Sequence, residues 1–340
     1  MISRSGIRVM TRHGLALLVA GLSCLSYSSG QETKAAVSES LEALRERAEQ
    51  GDAGAQASLA YLYYRGQGVP QDHAEAFRWY LKAAEKGDAT AQFNVGLLYY
   101  NGRGTKQDNA WGIIWFRKAA EQGLPRAQAM AAGDYESSGD YAKALDLYRK
   151  AAESGNDFAQ YRLGTIYTYG PYTPWNKIAP TDLTLGVKWL RRAVESDNPD
   201  AEEALGSLYE QGRGVIQDFK ESVRLYRMAA EQGHSDAQYE LGMMYLSGKG
   251  VAENPILAHM WFNIAAAQTD RVRVFPVESA IKGRELAEAM MKVLMISDGI
   301  EQAQEFARNW KPRTRVDSGP SRPAQVHVLE SLRPYGPNEF

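Results

Sequence analysis

The segment Ala84-Glu85-Lys86-Gly87 returns almost unchanged as Ala120-Glu121-Gln122-Gly123, 36 residues later. A fixed period of this size leaves a chain few choices. It builds stacked copies of one supersecondary unit, because a single copy cannot bury its own apolar face. The same step separates Ala48 from Ala84, Val194 from Ala230 and Ala230 from Ala266. Two units break it: Ala120 to Ala152 is four residues short, and Ala152 to Val194 is six residues long. Six units therefore lie between Ala48 and Ala266.

Each unit reads as two helices. The first is AQASLAYLYY, AQFNVGLLYY, AQYRLGTIYTY, AEEALGSLYE or AQYELGMMYL. Ala91, Val95, Leu98 and Tyr99 show the spacing of one helical face. Gly96, Gly164, Gly206 and Gly242 fall inside this helix, where glycine costs about 1 kcal/mol against alanine. The repeated cost predicts close approach of a neighbouring helix. Paired glycines follow, as in Gly66-Gln67-Gly68 and Gly102-Arg103-Gly104, and predict a helix end with positive φ. A phosphate loop would follow a strand and precede a Lys-Ser/Thr pair, and neither is present. Asp72 with Glu75, and Asp218 with Glu221, have the pattern of capping boxes at the start of the second helix. Asn254-Pro255 gives a cap followed by proline at the first helical position. The second helix carries Trp79-Tyr80, Trp115-Phe116, Tyr148, Trp189, Tyr226 or Trp261-Phe262, at a phase that predicts core packing.

The pattern AQxxLGxxYxxGxGVxxDxxxAxxWYxKAAExG resembles the Sel1-like repeats, relatives of the tetratricopeptide repeat. The resemblance covers residues 48–268, with several landmarks recurring in register. It implies an all-α fold, a right-handed α-solenoid of about six helix-turn-helix repeats with capping helices at its ends. It also implies an adaptor or scaffold for protein complexes, with the first helices lining a concave surface.

Residues 1–30 read as a secretory signal peptide: Arg4, Arg8, Arg12 and His13, then the short apolar run Leu15 to Leu25, then small residues at Ser26, Ser28 and Gly30. This predicts a periplasmic or secreted protein. Cys24 is the sole cysteine. Gly21-Leu22-Ser23 before it fits a lipidation signal poorly, so removal with the signal peptide is the favoured reading over a lipoprotein. The mature chain then has no disulfide, unlike exported relatives that staple each repeat, and must hold together by helix stacking. Residues 31–47 read as an N-terminal capping helix. Residues 269–310 contain GRELAEAMMKVL and GIEQAQEFARNW, two amphipathic segments read as C-terminal caps. Met290, Met291 and Met295 are the alternative there, as a soft partner site. Residues 311–340 hold five prolines and read as a disordered tail.

The short unit lacks the glycine turn, and its first helix is expected to end near Gly133-Asp134. The long unit carries Gly170 to Asp182 in place of the usual turn, with three prolines that oppose helix. Tyr172 and Trp175 in this insertion are either exposed partner anchors or a cover over the adjacent helix. Positions 3, 7 and 10 of the first helices lie off the packing face. Tyr61, Tyr64, Phe93, Tyr100, Tyr161 and Tyr239 among them are the candidate partner-binding residues. Their alternative is packing against a neighbouring unit.

With 39 basic and 41 acidic residues there is no basic stripe for nucleic acid. The five histidines are scattered without metal-ligand spacing, so neither metal nor cofactor is expected. Acidic residues read as caps and solvated faces. No nucleophile elbow is present, and an enzyme is not expected. The expected function is an exported adaptor binding a protein or peptide. The alternative is a binder of envelope glycan through the same aromatic surface.

Overall fold

The computed structural model describes residues 32–169, 174–267, 277–293 and 298–313. The signal segment with Cys24, Tyr172, Met295 and residues 314–340 lie outside the described residues. Twelve helices pair off as six hairpins: α2 (Ala53–Arg65) with α3 (His73–Glu85), α4 (Ala89–Asn101) with α5 (Asn109–Glu121), α6 (Pro125–Ser137) with α7 (Tyr141–Glu153), α8 (Asp157–Tyr169) with α9 (Leu183–Glu195), α10 (Pro199–Gln211) with α11 (Phe219–Glu231), and α12 (Ser235–Ser247) with α13 (Pro255–Ala267). They are preceded by α1 (Glu32–Glu49) and followed by α14 (Val277–Val293) and α15 (Gly299–Asn309). Each hairpin packs within itself and against the next, which makes an all-α solenoid. Helix α6 runs past the expected stop at Gly133-Asp134 to Ser137. The neighbouring hairpins bury Ala127, Ala129, Ala131 and Ala132 along it, and that burial outweighs the glycine.

The recurring glycines within helices serve the close approach their cost predicts. A Cβ on Gly96 would come within 2.6 Å of the Phe116 ring, and one on Gly242 within 2.7 Å of the Phe262 ring. Phe116, Tyr226 and Phe262 of the second helices thus come close against the backbone of the first, and Leu190 does so at Gly164. The recurring glutamine has a role that periodicity does not suggest. Gln56 Nε2 donates to the Ala48 carbonyl at 2.9 Å, Gln92 to Ala84 at 3.2 Å, Gln160 to Ala152 at 3.1 Å and Gln238 to Ala230 at 3.1 Å. Each bond is a second one to a carbonyl at the end of the preceding helix, which also accepts from the amide of the turn glycine Gly51, Gly87, Gly155 or Gly233. The fifth unit has Glu202 at this place, and its carboxylate accepts from Gln232 Nε2 at 2.9 and 3.0 Å.

The caps depart from the expected boxes. Asp72 accepts from the amides of Ala74 and Glu75 at 2.9 and 3.0 Å, as an N-cap should. Its own amide already donates to the Tyr63 carbonyl at 2.9 Å, so Glu75 turns away to pair with Arg78. Asp218, bonded to Tyr209, and Glu221, paired with Arg224, repeat this arrangement. Asp72→Ala and Asp218→Ala are each expected to cost about 1 kcal/mol. Glu75→Ala and Glu221→Ala should each cost under about 0.5 kcal/mol, since their partners are exposed. Urea titration of the four variants separates the two cases.

At one end α1 packs on α2 through Leu41, Leu44, Ala48, Ala55 and Leu59. At the other, Ala287 and Met291 of α14 and Ala303 of α15 are buried. Ala287 and Ala303 join the core of the last hairpin, and Trp310 meets Trp261 edge to face at 6.1 Å. Burial of Met291 removes it from any partner surface.

Candidate functional site

Six of the eight candidate residues lie on first helices, and Tyr172 and Trp175 lie in the insertion after α8. Tyr64 is 4% exposed, its hydroxyl accepting from Arg103 Nη1 of the next turn at 2.6 Å and its ring 4.8 Å from His73. Phe93 is 1% exposed and lies 5.4 Å from Phe116. These two join neighbouring helices, and the expectation that they meet a partner is corrected. Trp175 takes the second of its two readings, a cover, and the anchor reading is corrected. It is 4% exposed, T-shaped on Tyr141 at 4.9 Å, and its Nε1 donates to Glu136 Oε1 at 3.3 Å. Trp175 folds back as a cover, and Glu136 offers its indole an acceptor. Glu136 also accepts from Tyr148 Oη at 2.9 Å and pairs with Arg162, so three elements meet on one carboxylate. Tyr172 falls outside the described residues.

Tyr61, Tyr100, Tyr161 and Tyr239 are half-buried. Tyr61 lies under the Arg65 guanidinium, 5.9 Å from the ring centre. Tyr100 rests on Phe116 at 6.4 Å and Tyr239 on Phe262 at 5.7 Å. Tyr161 rests on Phe158 at 6.5 Å, and burial, with Asp200 adding, pushes its hydroxyl pKa up.

The acidic residues were read as solvated, and around α10 and α12 that reading is corrected. Burial pushes the Glu203 carboxyl up to about 7, with Asp236 and Asp200 adding and His234 opposing. Burial also pushes Glu240 up to about 8, with Glu210, Glu203 and Asp236 adding and Lys249 opposing. Neither Glu203 nor Glu240 forms an ion pair among the described residues. His234 caps α12, its Nδ1 accepting from the Ala237 amide at 3.2 Å, which leaves Nε2 to donate to Asp200 Oδ1 at 3.2 Å. Burial lowers its pKa, but Asp200, Glu203 and Asp236 outweigh that and hold it raised. The sequence carried a signal for this cluster. Glu203 occupies the register position that holds Phe93, Tyr161 and Tyr239 in other units. A carboxylate at an otherwise apolar position is a local departure from the repeat.

Half-buried tyrosines and carboxyl groups outside any ion pair thus meet on α8, α10 and α12. This arrangement can hold an apolar side chain and a positive charge side by side. Among the described residues no group of three or more His, Cys, Asp or Glu could hold a metal ion. No helix among them is long and apolar enough to cross a membrane.

A model of the Sel1 repeat matches residues 53–88, 89–124, 126–156, 157–198, 199–234 and 235–270. A Sel1 repeat protein from Oxalobacter formigenes is 32% identical, with a TM-score of 0.59 over 69% of this chain and 98% of that one. The protective antigen c5321 of uropathogenic Escherichia coli strains, which displays an SLR fold, is 26% identical, with a TM-score of 0.53 over 85% of this chain and 73% of that one. No curated protein sequence matches. Solenoids of this kind are typically non-catalytic scaffolds, and their repeats generally mediate protein–protein interaction. With six matched units spanning well over half of its length, the chain belongs to the Sel1 repeat family.

Proposed function

We propose that this chain is an exported adaptor that holds a segment of another protein along the first helices α8, α10 and α12. Export is supported by the basic residues Arg4, Arg8 and Arg12 followed by the apolar run Leu15 to Leu25. The observation that carries the binding surface is the pair Glu203 and Glu240, two carboxyls raised by burial that form no ion pair among the described residues and are only opposed by His234 and Lys249, beside Tyr161 and Tyr239. A partner supplying lysine or arginine next to an apolar residue would relieve their mutual repulsion and cover the rings.

The test is capture from envelope extract by the immobilised chain and by two double variants, Tyr161→Ala/Tyr239→Ala and Glu203→Gln/Glu240→Gln. Circular dichroism first establishes that all three are helical. A protein retained by the parent chain and reduced at least about tenfold by each variant is the expected result, equal to about 1.4 kcal/mol or more. Both carboxyls gain charge between about pH 6 and about pH 9, since their pKa values are raised to about 7 and about 8. Capture should therefore strengthen as pH rises through that window. Equal capture by all three chains would overturn the surface, and retention of murein with no protein would favour the glycan alternative.

A further inference from the structure

His259 on α13 has no exposed surface. Its Nε2 lies 2.9 Å from Glu288 Oε1 on α14, and its Nδ1 lies 3.0 Å from Asn263 Nδ2 one turn along α13. Asn263 Oδ1 accepts from Arg284 Nη1 of α14 at 3.2 Å. Arg284 can only donate, so the amide oxygen of Asn263 faces it and the amide N–H faces His259. Nδ1 is then an acceptor, and the neutral ring keeps its one proton on Nε2, donated to Glu288. A guanidinium on α14 thereby sets the protonation state of an imidazole on α13.

A second ring proton has no acceptor in this arrangement. On Nδ1 it would meet the N–H of Asn263, and turning that amide over would aim its N–H at Arg284. Burial acts in the same direction and is the largest influence, pulling the imidazole pKa below its usual value. Glu288 opposes this and Arg284 adds to it. Those two, both on α14, are the charged groups acting on the ring. Helices α12 and α15 also pack against α13, and none of their titratable groups acts on it. The fit next to this cluster is tight. The Phe262 ring lies between Gly242 of α12 and Gly283 of α14, and a Cβ on either glycine would come within 2.7 Å of it.

We propose that His259, Asn263, Arg284 and Glu288 form a proton-sensitive latch holding α14 on the last hairpin, so that acidification frees this helix ahead of the repeats. The sign follows from a native pKa held below the unfolded one. The stabilisation is complete above the ordinary imidazole value of about 6.5 and declines as pH falls through it. One pH unit lower, the population that has lost the latch rises by up to about tenfold. Release would uncover the apolar end of the stack, including the faces of Ala258 and Phe262 that are now buried.

Hydrogen exchange read by mass spectrometry on the full chain, at about pH 7.5 and about pH 5.5, tests this after correction for intrinsic exchange rates. Amides of α14 should lose protection by up to about tenfold at the lower pH while those of α4 to α11 keep theirs. In Asn263→Asp one carboxylate accepts from both Nδ1–H and Arg284, so the ring can take its second proton in place. That variant should keep α14 protected at both pH values. Unchanged protection in the parent chain, loss spread equally over the repeats, or equal loss in Asn263→Asp would each overturn the latch. So would a His259 titration, followed by NMR, centred at or above about 6.5.

Discussion

Gly104→Ala is expected to lower the stability of the chain by about 2–5 kcal/mol, against about 1–2 kcal/mol for Gly68→Ala. The two glycines hold the same place in successive turns, and their backbones are alike, with φ of +73° and +72°. Left-handed strain is therefore common to both substitutions, and it accounts for the whole of the smaller loss. The difference lies in what surrounds them. A Cβ on Gly104 would stand 1.9 Å from the His73 carbonyl oxygen and 2.8 Å from the Ala74 amide nitrogen, at the start of α3 in the preceding hairpin. Those atoms are backbone, held by the Asp72 cap, and cannot swing aside as a side chain would. Gly68, in the first turn, has nothing within 4 Å. Gly250 repeats the Gly104 contact, with a Cβ 2.2 Å from the Phe219 oxygen. Urea unfolding followed by circular dichroism on Gly68→Ala, Gly104→Ala and Gly250→Ala measures the contrast. Three equal losses would mean that the turns do not seat on their neighbours.

Glu136→Ala is expected to cost about 3–5 kcal/mol. Its side chain is 15% exposed and that of its partner Arg162 is 20% exposed. Removing the carboxylate leaves a guanidinium in a mostly dry site, along with the Tyr148 hydroxyl and the Trp175 indole N–H without their acceptor. The Tyr148 hydroxyl offers no compensation by ionising, because burial raises its pKa well above the ordinary tyrosine range. An exposed pair on the same hairpin, Lys143 with Asp140, supplies the comparison, and Asp140→Asn should cost about 1 kcal/mol or less. The Glu136 effect should also appear as a change in Trp175 emission before global unfolding. A Glu136→Ala loss no larger than that of Asp140→Asn would sink the claim that this carboxylate fastens the insertion.

The fold was readable because its determinants are local and repeated. The 36-residue step, the in-helix glycines and the paired turn glycines each act within one unit, and six copies make the pattern unmistakable. The candidate surface was less readable, for a physical reason. Each first helix is flanked by its own second helix and by that of the preceding hairpin, so positions taken as free are largely covered. Phe93 and Tyr64 are apolar enough to fill such a space, and they do. Trp175 was ambiguous because its acceptor, Glu136, stands 39 residues earlier in another unit. The capping boxes failed in part because the amide of Asp72 is taken by Tyr63 across the turn, a bond no short motif reveals. Glu203 stood out only as a departure from the repeat, Glu240 occupies a position that is polar in several other units, and the importance of both depends on burial.

The glutamines that tie each first helix to the preceding one also bear on how the chain reaches its structure. Gln56 reaches back 8 residues to Ala48, and the link from Arg213 of one turn to the Thr168 carbonyl of the preceding unit spans 45. Contact order is correspondingly low, and the loop-closure entropy charged to each new contact is small. Nucleation can begin on any adjacent pair of helices and spread to its neighbours. A polypeptide emerging from its amino-terminal side would find each docking partner already assembled. It could fold as fast as it is delivered, with a growing tip as the one sticky surface until α14 and α15 arrive.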